Sequence, residues 1–321
     1  MTTIHTRPAT SLRVVLARDI ETVGDAELWA EKQRDELRAA VTEFGAVLVR
    51  GLELRDAGGV AAVARRLASE LMVEREGFAK RHMYSPGVYS SSAWTDDMPM
   101  CMHHELSYAR TFPGMMMFAC LSLADSGGEV ELADARSVLS ALPEERFAGF
   151  VGDGWQLVRN YHPETGTPWQ EAFGTEERAE LEAYCTANGI AFEWRPGGLL
   201  RTRQTSPAVL THPITGARCW FNQIAFLNEW TMLEDIREYL VHEFGRDGLP
   251  FNTAHADGKP LTAAVVDALN SVYERHAVTV PWQPGDLLLV DNISTAHSRK
   301  PFTGNREVIV AMGDPVDRTT L

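Results

Sequence analysis

Apolar residues recur at helical spacing in two early stretches. Over residues 25–44, Leu28, Leu37, Val41 and Phe44 fall near one face, and Gly45 follows as a stop. Over residues 60–72, Val60, Val63, Ala64, Leu67 and Leu71 share a face. Between them Ala46, Val47, Leu48 and Val49 form an unbroken apolar run before Arg50 and Gly51, the pattern of a buried strand. From 74 to 100 no period holds, and Gly, Pro, Ser and Asp are scattered through the segment. A structureless stretch of that length in a compact domain is frequently a lid or a binding loop.

Further along, residues 100–106 and 115–123 read as two extended stretches separated by Phe112-Pro113-Gly114. Gly127-Gly128 is a turn, 130–133 a strand, and 136–142 a helix that Pro143 ends. A charged helix over 175–188 is closed by Gly189, and 190–226 alternates strand-like runs with turns. Helical patterning returns at 232–244 and 261–276, and the end is β, at 277–280, 286–290 and 308–312. Short strands in the middle and end, with helices at the start and in insertions, predict a mainly β fold with helical insertions, a barrel or double-sheet jelly roll. No repeat or linker divides the chain, so the 321 residues are expected to form a single domain.

Composition narrows the partners more than the chemistry. Thirty Lys and Arg against 44 Asp and Glu give a formal charge of −14, which argues against a nucleic-acid or anionic-membrane partner. The first residues lack the apolar core of a secretory signal, and no apolar run is long enough to span a bilayer. Cys101, Cys120, Cys185 and Cys219 show no C-x-x-C pairing, as expected of reduced thiols in a cytoplasmic protein.

Candidate chemistry begins at Met102-His103-His104-Glu105. In an extended strand residues i and i+2 share a face, so His103 and Glu105 can converge on one metal while His104 points away. Much later comes His297, in Ala296-His297-Ser298-Arg299 after the apolar run 287–290. A jelly roll sets sequence-distant strands side by side, so a late His can close a site that an early pair opens. Two His and one carboxylate leave positions free for a chelating cosubstrate and O2, the arrangement of non-haem Fe(II) oxygenases. Arg306 follows at the start of the next strand, and its planar fork suits the carboxylate of a dicarboxylic 2-oxo acid.

The stretches Phe44–Gly51, His103–Ala109, Ser126-Gly127-Gly128-Glu129, Trp220-Phe221-Asn222-Gln223, Asp291-Asn292 with Ala296-His297, and Pro301–Arg306 resemble the taurine dioxygenase (TauD/TfdA-like) family. Within it they are most similar to the clavaminate synthase-like and syringomycin-type aspartyl hydroxylase branch. The resemblance implies a double-stranded β-helix core over about 44–312, with helical insertion or lid regions near 74–100 and 160–275. It implies Fe(II), 2-oxoglutarate and O2, with His103, Glu105 and His297 on the metal and Arg306 on the distal carboxylate of 2-oxoglutarate, Arg299 being the fallback. The chain departs from the family pattern at Val130, where a Thr hydroxyl usually touches 2-oxoglutarate, at Ser298 in place of Gly, and at Glu307 in place of a second Arg. Related halogenases lack the carboxylate that Glu105 supplies, so hydroxylation is favoured over halogenation.

For the substrate, a small amino-acid-like metabolite of specialised metabolism is expected, free or presented by a carrier protein. Trp220, Asn222, Gln223 and Arg203 are the candidate contacts. An acidic chain needs a local basic patch to dock an acidic carrier, which favours a free substrate. Desaturation, cyclisation and epoxidation use the same centre and stay open. A zinc hydrolase built on the same triad, or a barrel that only binds, are the remoter alternatives.

Overall fold

The computed structural model describes residues 12–162 and 164–321. Two sheets packed through a shared apolar interior form its frame. The larger has seven strands in the spatial order Arg13–Leu16, Ala46–Arg50, Leu287–Asp291, Thr111–Ser122, Glu307–Asp317, Val88–Ser90, Met83–Ser85. The smaller has four, in the order Ala277–Thr279, Val130–Asp134, Thr295–Arg299, Met100–His103. Only the first pair is parallel. Each sheet interleaves early and late strands, so the jelly roll expected from the pattern is present.

The central strands read as continuous apolar runs because both of their faces are covered. Leu48, Phe118, Leu288 and Val310 point between the sheets, while Val47, Met117, Leu289 and Ala311 point toward the helices. Those helices are Val23–Phe44 and Ala57–Leu67, which lay Ala30, Leu37, Val41, Val60 and Val63 against the outer face. Truncating a fully enclosed residue such as Leu48 would cost about 2–5 kcal/mol, since lost burial and the cavity left behind add together. The first helix starts two residues earlier than its apolar period predicts because Thr22 and Asp25 form a reciprocal capping box. It stops at Gly45, whose φ of 80° favours glycine and where a Cβ would strike Thr295.

Three expectations are corrected. Phe112-Pro113-Gly114 is no break: it lies within the strand Thr111–Ser122, whose pairing with Glu307–Asp317 continues through Pro113. Segment 74–100 contains the short hairpin Met83–Ser85 and Val88–Ser90 at the edge of the larger sheet. Region 160–275 has the expected helices, Arg178–Ala187, Glu234–Phe244 and Ala263–His276, and a short one, Trp169–Phe173, but they are not the whole of it. With Trp155–Tyr161 at its start it carries a further sheet, ordered Ala191–Arg195, Leu199–Ser206, Trp155–Tyr161, Phe251–His255.

That further sheet has a buried face and an outer one, and the buried face fixes the segment leading to the mouth of the jelly roll. Arg159 donates to the carbonyls of Glu76 and Gly77 at 2.6 and 2.8 Å. Gln204 and Tyr184 donate to the Glu76 carboxylate, and Tyr108 donates to the Glu76 carbonyl. Residues 74–81 are thereby a strap tied down from several sides, which places Phe78 and Arg81.

Candidate metal centre

The smaller sheet builds the centre. Its strand Met100–His103 pairs with Thr295–Arg299 so that His103 and His297 stand directly opposite each other. The strand ends at His103, and Glu105 lies in the turn that follows, so the expected i, i+2 geometry of one strand is not what aims the carboxylate. Asn292 does that work. Its side-chain Oδ1 accepts the Glu105 amide at 2.8 Å, and its Nδ2 donates to the carbonyls of Glu105 and Pro113. His104 donates to the Asn292 carbonyl at 2.6 Å, and Gln223 donates to the His104 carbonyl. His104 does point away, as expected, and becomes part of the scaffold.

One ligand atom from each of His103, Glu105 and His297 lies within 4.8 Å of the others, and all three residues are buried. His103 Nδ1 donates to the Cys101 carbonyl at 2.8 Å, which leaves Nε2 as the lone-pair nitrogen. Phe226 stacks on the His103 ring at 4.5 Å, Phe78 packs edge-on to it, and Phe118 covers His297. Burial and then His297 push the His103 pKa down to about 3, so this imidazole is neutral at physiological pH, as a metal ligand must be. Burial opposes ionisation of Glu105, but Arg81, His297 and His103 outweigh it and hold the carboxyl below the usual carboxylate range. One oxygen of Glu105 and Nδ1 of His297 are buried without a hydrogen-bond partner, and the donor set of two imidazoles and one carboxylate fits Fe(II).

The cavity beside the triad is narrow, about 50 Å3, and brings in Arg306, Arg299, Val130 and Arg81. Arg306 donates through Nε to the Gly128 carbonyl at 3.1 Å. Burial and then Arg299 lower its pKa to about 10, which still leaves it a cation at neutral pH. Gly128 explains the glycine pair: its φ is 76°, and a Cβ there would fall 2.9 Å from Arg306 Cδ. The fallback Arg299 is engaged elsewhere, donating to the carbonyls of Thr95 and Met98 at 2.6 and 2.7 Å.

The four expected substrate contacts are not in this cavity. Trp220 ends a two-stranded ribbon and packs edge-on against Phe147 and Phe150. Asn222 and Gln223 lie beyond that strand and hydrogen-bond the backbone at Ala208, Ile224 and His104, as buried amides require. Arg203 sits on the outer face of the further sheet.

Sequence reasoning missed Arg81. Its guanidinium is 6% exposed, donates to Glu105 Oε2 at 3.1 Å and lies 3.5 Å from Glu74. A single arginine in an aperiodic loop carries no signal of such a contact. A further buried histidine, His212, pairs with Asp291 at 2.7 Å, while its other nitrogen accepts two backbone amides, so its role is structural.

Residues 10–312 match the family described as "Taurine catabolism dioxygenase TauD, TfdA family". Among curated proteins the chain is 34% identical to the dapdiamide synthesis protein DdaC of Enterobacter agglomerans, over 86% of this chain and 84% of that one. It is 28% identical to a clavaminate synthase-like protein of Arabidopsis thaliana, over 87% and 84%. Among solved structures, an asparagine oxygenase in complex with Fe(II), 3-hydroxyasparagine and succinate superposes with a TM-score of 0.55 at 14% identity, covering 91% and 83% of the two chains. PvcB of Pseudomonas aeruginosa gives 0.53 at 13%, covering 94% and 86%. These structural likenesses establish the shared jelly-roll fold. On its sequence match, the chain belongs to the TauD/TfdA family and is a 2-oxoglutarate-dependent non-haem iron dioxygenase, using Fe(II), 2-oxoglutarate and O2.

Proposed function

We propose that this oxygenase hydroxylates an aliphatic carbon of a small amino-acid-like metabolite in specialised metabolism, the whole chain acting as one catalytic unit. His103, Glu105 and His297 hold the iron, and Arg306 anchors the distal carboxylate of 2-oxoglutarate, which leaves as succinate and CO2. The observation that carries this reading is the convergence of three buried donor atoms within 4.8 Å, in one cavity with a cationic guanidinium. Fe(II) bound there supplies the oxidative chemistry with O2 that no side chain of this protein can.

The chain contributes position and dryness. The Cys101 carbonyl fixes the His103 tautomer, Asn292 fixes the Glu105 backbone, and Arg81 holds one carboxylate oxygen. Phe78, Phe118 and Phe226 keep water from the imidazoles, which preserves the low dielectric in which such contacts are strongest. Val130 lines the cavity without a hydroxyl, so the cosubstrate relies on Arg306. The DdaC relative, whose name places it in dapdiamide synthesis, supports a biosynthetic role with a small substrate, free or borne on a carrier. Four free cysteines suit a reduced cytoplasm, and no helix among the described residues is long and apolar enough to cross a membrane.

The test is anaerobic titration with Fe(II) and 2-oxoglutarate, followed by a screen of amino acids and their conjugates for O2-dependent mass change. A gain of one oxygen is expected. Loss of two hydrogens would replace hydroxylation by desaturation or cyclisation, and no 2-oxoglutarate binding would overturn the site.

A further inference from the structure

Three arginines are buried as whole residues among those described: Arg159, Arg299 and Arg201. The first two donate to at least two backbone carbonyls each, Arg299 keeping only its Nε without a partner. Arg201 is 7% exposed, its side chain donates no hydrogen bond to any described residue, and its Nε is enclosed without a partner. Its one ion-pair contact is Asp247, which is 94% exposed and, at 3.6 Å, too distant for a hydrogen bond. A buried guanidinium in that state is costly unless something completes it.

Arg201 lies on the strand Leu199–Ser206 of the further sheet. Alternation sends Thr202 and Gln204 inward, and Arg201 with Arg203 outward. Both outward guanidinium groups line a cavity of about 420 Å3, together with Arg246, Asp247 and Glu229. Two nearby carboxylates are engaged by other cations: Glu229 accepts from Arg237 and Asn252 and lies 3.7 Å from Arg246, and Glu193, opposite Arg201 in the neighbouring strand, pairs with Arg195. Burial, and then repulsion from Arg203, lower the Arg201 pKa, although Asp247 and Glu193 oppose the shift.

We propose that this cavity is a binding site for a phosphate group, separate from the iron centre. The two strand arginines stand roughly 6.6 Å apart along the backbone, at about 3.3 Å of rise per residue. Two neighbouring forks can be served together by the several oxygens of one phosphate, whose charge also exceeds that of a carboxylate. The phosphate comes either as the free ion or as the ester of a larger molecule whose remainder occupies the cavity.

The test is calorimetric titration of the full chain, in a low-salt buffer free of oxyanions, with inorganic phosphate, glycerol 3-phosphate and acetate. Saturable binding of at least one phosphate probe is expected, with acetate ineffective. Inorganic phosphate binding as well as the ester identifies the free ion, and tighter binding of the ester identifies a larger ligand. Arg201→Gln and Arg203→Gln should each weaken binding at least tenfold. Should Arg201→Gln fail to fold, the exposed Arg203→Gln carries the test, with an unchanged thermal melt as its control. No saturable binding of either phosphate probe, equal binding of acetate, or wild-type affinity in Arg203→Gln would overturn the proposal.

Discussion

His103 and His297 are registered cross-strand partners, their ring centroids 4.4 Å apart and the rings tilted by 54°. They lie far apart in the chain, and strand pairing brings them together. Register matters because a slip of one residue would turn either side chain to the other face of the sheet. A bulge between His297 and Arg299 re-aims the strand just past His297, a device common beside active sites. His297 also lies opposite Leu132, so it is held from both sides.

Loss of any one of the three donors should remove the metal. Since disturbing a mere supporting contact of a ligand costs roughly 10–100-fold in affinity or activity, removing a ligand outright should cost at least that much. We expect His103→Ala and Glu105→Ala to retain the fold but to form no succinate in the presence of Fe(II) and O2. Normal iron stoichiometry and turnover in either variant would sink the assignment.

Arg81 donates to Glu105, and a metal held by the proposed triad would act on the same carboxylate. Arg81→Gln leaves that buried charge uncompensated, a change of the kind that costs about 3–5 kcal/mol. Metal-free Arg81→Gln should therefore melt well below the wild type, and Mn(II) should recover most of the difference because the ion supplies the missing positive charge. Thermal melts of both proteins, each with and without Mn(II), check this; an equal deficit in both states would refute it.

Arg306 and Gly128 should fail together. Arg306→Gln removes a charge-assisted pair, for which about 2–3 kcal/mol, or roughly 30–150-fold, is the expected loss in 2-oxoglutarate affinity. Gly128→Ala is expected to raise the KM for 2-oxoglutarate while leaving the iron content intact, because its Cβ displaces Arg306. Arg299→Gln should instead lower the melting temperature through loss of its carbonyl contacts.

Glu76 gives a pH dependence with a defined sign. Burial raises its pKa above the ordinary 4.5, although Tyr184 and Gln204 hydrogen-bond the carboxylate. A group whose pKa is raised on folding stabilises the native state below its unfolded value and loses that contribution as pH climbs through the folded value. Urea denaturation should show Glu76→Gln gaining on the wild type between pH 5 and pH 8, the Gln204 amide turning over to accept from the new one. A gap that stays constant, or that narrows as pH rises, would exclude burial as the governing effect.

Patterning alone located the helices at 25–44 and 175–188 to within a few residues, because their apolar periods and glycine stops are local signals. The fold class was legible for the same reason, as continuous apolar runs such as 46–49 and 287–290 mark strands covered on both faces. Proline misled at 112–114: Pro113 lacks an amide donor, yet the strand carries on through it in register with Pro315. Of the further sheet, Ala191–Arg195 and Leu199–Ser206 fall within the stretch read as strand-like, whereas Trp155–Tyr161 and Phe251–His255 were missed, polar outer residues such as Asn160 blurring the apolar signal.

The sequence by itself picked out the candidate donors, since an imidazole and a carboxylate two residues apart, a late imidazole and then an arginine suggest an iron centre with a dicarboxylic cosubstrate. Tertiary structure decided how they meet. Asn292 rather than strand alternation aims Glu105, Arg81 arrives from a loop without periodicity, and the four candidate substrate contacts face elsewhere. The physical reason is common to all three. Donor chemistry belongs to the single residue, whereas direction and burial are set by strand register and by hydrogen bonds between segments that no local pattern connects.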